Sequence, residues 1–470
     1  YKRQLYDRAD SLMNRAMEIR LELHEEPHPS LLESRQHLAE VCMRRGEFER
    51  AVELLQPATT WEDNDQLLLA PAYGVLARAY MELADFESAE ANLNVALELA
   101  GNELGDGHPD TASLLHSFAV LMQEIGRPDE AEAPRRQALD ILRRSLPAND
   151  PRIATSLNNL GNYLRVKGEY DEAAELLDEA LAIREQVLGP DHPSVGITLN
   201  NLALTVKNLG DFKRAETLYL RSIEIRESSM GPDHPRVANA YQNLSTLYRD
   251  MGELEKCEAA SRRTLEINEM ARGPDHPYTG IALTTLSDVL RMKGELDEAE
   301  RMARRSIEIK ERAYGLDHRR VASSIVALGN IYADQGDFER AEIQYLKALD
   351  IYEQALGPDH PWLAPVLTLL GGMYIDYGEV DRAEPLLRRA MAIREDAHGS
   401  DHPSNVRILI ELGRVHQARG EMAEAEQCYT RGLQIARSGF GPDHILTKEG
   451  EERYAAFLRQ VNHEVAPGEQ

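Results

Sequence analysis

Between Pro193 and Leu209 the apolar residues Val195, Leu199, Leu202, Ala203 and Val206 fall at spacings of three and four. One apolar stripe results, which predicts an amphipathic helix. Gly210 and Asp211 interrupt the pattern, and a second helix is predicted from about Phe212 to Met230, ended by Gly231 and Pro232. The first helix is announced by Asp191, His192 and Pro193. Proline suits the first turn, and Asp191 is expected to cap the free amides. The whole unit then recurs: His192, His234, His276, His318, His360, His402 and His444 follow one another every 42 residues. The turn glycine returns at Gly46, Gly126, Gly168, Gly252, Gly294, Gly336, Gly378 and Gly420, with Ala84 as its one substitute. Five residues after each turn stands a small residue, Ala51, Ala89, Ala131, Ala173, Ala215, Cys257, Ala299, Ala341, Ala383 or Ala425, expected to let the paired helices approach closely. A fixed period of this length marks one supersecondary unit stacked into an all-α solenoid. Ten complete helix pairs are counted, with a half repeat at each end.

Three places depart from the pattern. The opening segment, Asp7 to Arg20, matches Asp381 to Arg394 in the second half of a later unit, so residues 1–24 read as a half repeat and the chain as a fragment of a longer parent protein. From Gly46 to Ala84 the interval is 38, not 42, and residues 57–66 (PATTWEDNDQ) predict a shortened second helix followed by an irregular loop. Trp61 in that loop reads either as an anchor for a partner or as a plug over the short helix. At the other end residues 445–461 form a capping helix, and the polar residues 462–470 are expected to be disordered. Residues 1–461 are expected to form a single domain.

Charge and cysteine content narrow the function. With 53 basic and 80 acidic residues the net charge is -27, which offers no basic footprint for nucleic acid. No apolar run reaches the roughly 20 residues of a membrane helix, and three scattered cysteines without paired spacing suit a reducing, cytoplasmic setting. The recurring histidines, one per joint, are expected on the order of 20 Å apart on helices packed 8 to 10 Å from one another. That is too far for a shared metal. Neither a phosphate loop nor a nucleophile motif is present, so no enzyme activity, metal or cofactor is expected.

In its small and large residues, Leu202, Ala203, Gly210, Ala215 and Tyr219, the unit resembles the tetratricopeptide repeat. The combination LNNLA (Leu199 to Ala203), GDFKRAE (Gly210 to Glu216) and GPDHP (Gly189 to Pro193) is similar to the 42-residue form of kinesin light chain. The resemblance implies a right-handed superhelix whose first helices line a concave groove, and a protein or peptide partner held there. Similar units also occur in large bacterial signalling proteins. The alternative is therefore a sensory or oligomerising arm of a larger enzyme such as a serine/threonine kinase, binding another copy or a domain of its own parent chain.

Two columns on the first helices are the candidate groove residues. Asn158 and Asn159, Asn200 and Asn201, then Gln242 and Asn243 occupy equivalent sites, joined by Asn162. An amide side chain both donates and accepts, and so suits the backbone of an extended peptide. In kinesin light chain the asparagines of LNNLA contribute to peptide binding, which the resemblance carries to these positions. The competing reading is a structural ladder between adjacent helices. Six residues past each second amide lie Arg165, Lys207, Arg249 and Arg291, cations suited to an acidic peptide or, alternatively, solvated charges offsetting nearby acids. Downstream the amides give way to Thr284 and Thr285, Val326 and Ala327, Thr368 and Leu369, a more apolar groove.

Overall fold

A computed structural model describes residues 2–24, 28–60, 66–105, 107–442 and 444–465. Among these residues regular structure is entirely helical, in 22 α-helices and three short 3-10 turns. The chain divides into two compact units, Tyr1–Pro190 and Asp191–Gln470, where the repeat pattern alone predicts one. The first unit opens with the lone helix Lys2–Leu23. It then pairs Pro29–Arg45 with Phe48–Leu55, Gln66–Glu82 with Phe86–Leu104, Pro109–Glu124 with Glu132–Ser145, and Pro151–Lys167 with Tyr170–Leu188. The second unit begins with Pro193–Asn208 and Phe212–Met230, continues through five further hairpins, and closes on the lone helix Ile445–Val465.

The helix starts differ from expectation in one respect. The capping side chain is the histidine and not the aspartate before it: His192 Nδ1 accepts from Ser194 N at 3.1 Å. The same bond recurs at His234, His276 and His318. In the fourth repeat Asp150 stands in the histidine's place and accepts from Arg152 N at 2.9 Å. An acceptor nitrogen requires a neutral ring with its proton on Nε2, so these imidazoles are occupied as caps.

Within a hairpin, packing rests on volume matching. All ten small residues after the turns are fully buried, Ala51 through Ala425 with Cys257 among them. One turn along the pair, a small residue of the first helix faces a large one of the second. A Cβ on Gly329 would lie 2.8 Å from the Tyr345 ring, so a larger residue there would force the ring to shift. Where the sixth repeat has Ser245 opposite Ser261, the hydroxyls bond to each other at 2.6 Å, and Cys257 Sγ donates to the Ser245 carbonyl. Burial pushes that thiol's pKa up, as befits a packed residue.

The first repeat is shortened as the spacing predicts. Its second helix spans only Phe48–Leu55 and passes into a 3-10 turn, Gln56–Thr60, in place of open loop. Trp61 lies outside the described residues. Ala84, the substitute for the turn glycine, has φ of 60°, the only positive value at a described non-glycine residue. At the far end the helix runs to Val465, past the expected limit at 461, and the remainder of the expected tail lies outside the described residues.

Candidate functional site

In the first unit the faces of Pro29–Arg45, Gln66–Glu82, Pro109–Glu124 and Pro151–Lys167 line a cavity of 1010 Å³. Small side chains make the room: Ala70, Gly74, Ser113 and Ser117 stand where bulk would close it. Gly74 also lets two first helices meet, since a Cβ there would lie 2.7 Å from Leu114 Cδ2. Asn159 is on the wall, where its amide Nδ2 lies 3.2 Å from His116 Nε2. The amide donates and the ring accepts, a role open only to neutral imidazole. Burial, and secondarily the charge of Arg135, hold the His116 pKa below its ordinary value. Arg135 is itself buried, donating to the Ala119 and Ala131 carbonyls and stacking 4.7 Å over Tyr163. Arg78 is exposed on the cavity wall and has no ion pair or hydrogen bond among the described residues. Glu40, Glu82, Asp110 and Arg152 complete its charged rim. Arg152 is occupied by Asp150 at 3.0 Å.

The other amides of this unit are placed less openly. Asn158 is buried, with 7% of its surface exposed. Asn162 accepts from Arg165 at 3.0 Å one turn along the same helix, so two predicted groove residues hold each other.

In the second unit the amide column forms rungs. Asn243 Nδ2 donates to Asn200 Oδ1 at 3.0 Å, joining adjacent first helices. Asn201 and Gln242 are half-buried beside them, and their backbone carbonyls accept from Thr205 and Thr246. The cations are engaged as well. Lys207 pairs with Asp250 at 2.8 Å, Arg249 reaches the same carboxylate at 3.4 Å, and Arg291 pairs with Asp334 at 2.6 Å. Sequence reasoning passed over Asp250 and Asp334. Their signal is an offset of 43 residues from their partners, one more than the repeat, and the same offset links His116 with Asn159, Asn200 with Asn243, and Gln417 with Gln460.

A second missed group is Lys310, 2% exposed, whose Nζ donates to Ser324 at 2.7 Å, Thr284 at 3.0 Å and Ser323 at 3.3 Å. Ser306 ties Thr284 and Ser324 into the same network. Burial lowers the lysine to about 8 against the pull of Asp288, while Asp288 is itself raised by burial. The signal was available in sequence, because Arg184, Arg226 and Arg394 occupy the same repeat position and burial lowers each of them too.

Two models, both described as tetratricopeptide repeat, match the sequence, one at residues 68–144, 152–228, 206–256, 237–312, 320–396 and 366–438, the other at 35–57. The chain belongs to the tetratricopeptide repeat family. Among solved structures, this tetratricopeptide repeat protein is similar to the apo form of RapI, with a TM-score of 0.59 and 14% identity over 78% of this chain and 98% of that one, a likeness of fold. The nearly identical TPR-like repeats of a Podosopora anserina protein described as a kinesin light chain match at 22% identity over 44% of this chain and 98% of that one, TM-score 0.41. BtubC (BKLC) from P. vanneervenii matches at 23% identity over 59% and 92%, TM-score 0.33. No curated protein matches the sequence. Among the described residues no helix of the repeat protein is long and apolar enough to cross a membrane, and no cluster of three metal-ligating side chains occurs.

Proposed function

We propose that this chain is a non-enzymatic interaction scaffold that holds an extended peptide of a protein partner on the concave face of its first unit. The observation that carries the reading is the 1010 Å³ cavity on four successive first helices, with Asn159 on its wall and Arg78 free of partners among the described residues. The Asn159 side-chain amide offers a donor and an acceptor to a peptide backbone once it leaves His116, and Arg78 offers a fork for a carboxylate side chain. The preference for acidic residues is local to Arg78, because Glu40, Glu82 and Asp110 repel them elsewhere on the rim. The second unit contributes less, since Lys207 and Arg291 already hold acids of the chain itself. Three free cysteines, Cys42, Cys257 and Cys428, suit a cytoplasmic setting.

The test is fluorescence anisotropy with an array of short labelled peptides, acidic and neutral. Ser117→Trp fills the cavity and is expected to lower affinity more than tenfold with helicity and melting unchanged. Arg78→Ala is expected to weaken only peptides that carry a carboxylate side chain. Full affinity in Ser117→Trp would reject the site.

A further inference from the structure

Unit two departs from the rule that a solenoid repeat touches only its neighbours. The turn that closes its first hairpin, Leu209 to Phe212, lies against Phe440, Gly441 and His444 at the opposite end of the unit. A Cβ on Gly210 would stand 3.2 Å from the Phe440 carbonyl oxygen, and one on Gly441 would stand 3.9 Å from that of Leu209. The Phe212 and His444 rings lie 6.2 Å apart, and His444 stacks on Phe440 at 4.3 Å with an interplanar angle of 12°. The two ends thus meet through backbone and rings, and the first helices between them face a closed circuit.

His444 occupies the joint of this circuit in a neutral form. Its Nδ1 accepts from Leu446 N at 3.2 Å, which an imidazolium cannot do. The charged groups that face it come from the opposite end: Lys207 on Pro193–Asn208 and Asp250 on Pro235–Met251, themselves paired at 2.8 Å. Burial is the main influence against protonation, Asp250 opposes it, and Lys207 adds to it least.

We propose that the Leu209–Phe212 turn forms a latch with Phe440, Gly441 and His444 that closes unit two into a ring, and that protonation of His444 opens it. The sign follows from the direction of the shift. A base held neutral in the closed state makes closure strongest above the open-state value near 6.5, and closure weakens as pH falls through it. Opening gives a chain segment sideways access to the concave face that carries Asp288, Arg291 and Asp334.

Spin labels at Lys213→Cys and Pro442→Cys, in the full chain with Cys428→Ser, report the gap by pulsed dipolar spectroscopy. One short distance is expected at about pH 8, and below about pH 6 a second population longer by roughly a helix diameter, about 10 Å or more, should grow while circular dichroism holds. His444→Asn keeps a capping side chain but does not titrate, and should lose the acid response. Phe212→Asp should show the long distance at every pH. A long distance in the parent at neutral pH, an acid response that survives in His444→Asn, or a short distance retained in Phe212→Asp would each overturn the latch. The Phe212→Asp arm reads out at neutral pH and so decides the matter even where acid unfolds the chain.

Discussion

Position for position, His116 and Asn159 in the first unit correspond to Asn200 and Asn243 in the second, and both pairs bridge adjacent first helices at 3.2 and 3.0 Å. Their surroundings differ. Around His116 its own helix presents Ser113 and Ser117 and the preceding first helix presents Gly74, and a cavity opens. Around Asn200 the chain continues with the Lys207–Asp250 pair and, further on, with Lys310 among hydroxyls. Polar residues in register along a groove are therefore no sign of a binding site by themselves. Regular repeats satisfy them internally, and the open cavity spans first helices on both sides of the one interval that departs from 42 residues.

The strongest way to test the internal character of unit two is through Lys310. Its folded pKa of about 8 lies below the ordinary 10.5, so between those values the unfolded chain binds more protons and stability rises with pH. Relative to Lys310→Met, the parent is expected to gain on the order of 3 kcal/mol across that window, measured by urea unfolding. Next, Asp250→Ala leaves Lys207 and Arg249 without their shared carboxylate on a half-buried surface. A loss of about 2 kcal/mol is expected, with hydrogen exchange rising in Pro193–Asn208 and Pro235–Met251. The matched pair of amides sharpens the contrast directly. Asn243→Ala should cost about 1 kcal/mol of stability and leave peptide affinity alone, whereas Asn159→Ala should lower affinity about tenfold. Equal effects of the two on affinity would erase the distinction between the units. The smallest effect is expected on the outer surface, where Arg143→Ala removes an exposed pair with Glu179 and should change stability by less than about 0.5 kcal/mol in thermal melts.

The repeat architecture was legible because it depends on local signals that survive copying: the apolar stripe, the turn glycine and the small residue at Ala215 and its equivalents. The second helix Phe212–Met230 agrees with the sequence reading at both ends. The cap is less legible because aspartate is the commoner capping residue, yet in GPDHP it stands one position too early, and the imidazole takes the bond. The candidate site was legible only in part. Asn159 was found, but Arg78 and His116 were not, because a cavity depends on what neighbouring helices omit, and no single residue type encodes an omission. The pairing of Lys207 and Arg291 was hidden for a different reason. Reading columns at the repeat period looks along the array, and the acids sit one residue off that line.

Outer and inner ladders keep separate offsets. On the second helices, ion pairs link residues 36 apart, as in Arg136 with Glu172, Arg262 with Glu298 and Arg431 with Glu395. On the first helices the offset is 43. Both are defined only relative to a 42-residue unit. A duplication or loss of one whole unit by unequal recombination therefore preserves both offsets, while a small insertion inside a unit misaligns both ladders together. Copy number is thus the cheap variable for the ladders alone, whereas between Leu209 and Phe440, where the two ends of unit two meet, closure fixes it as well.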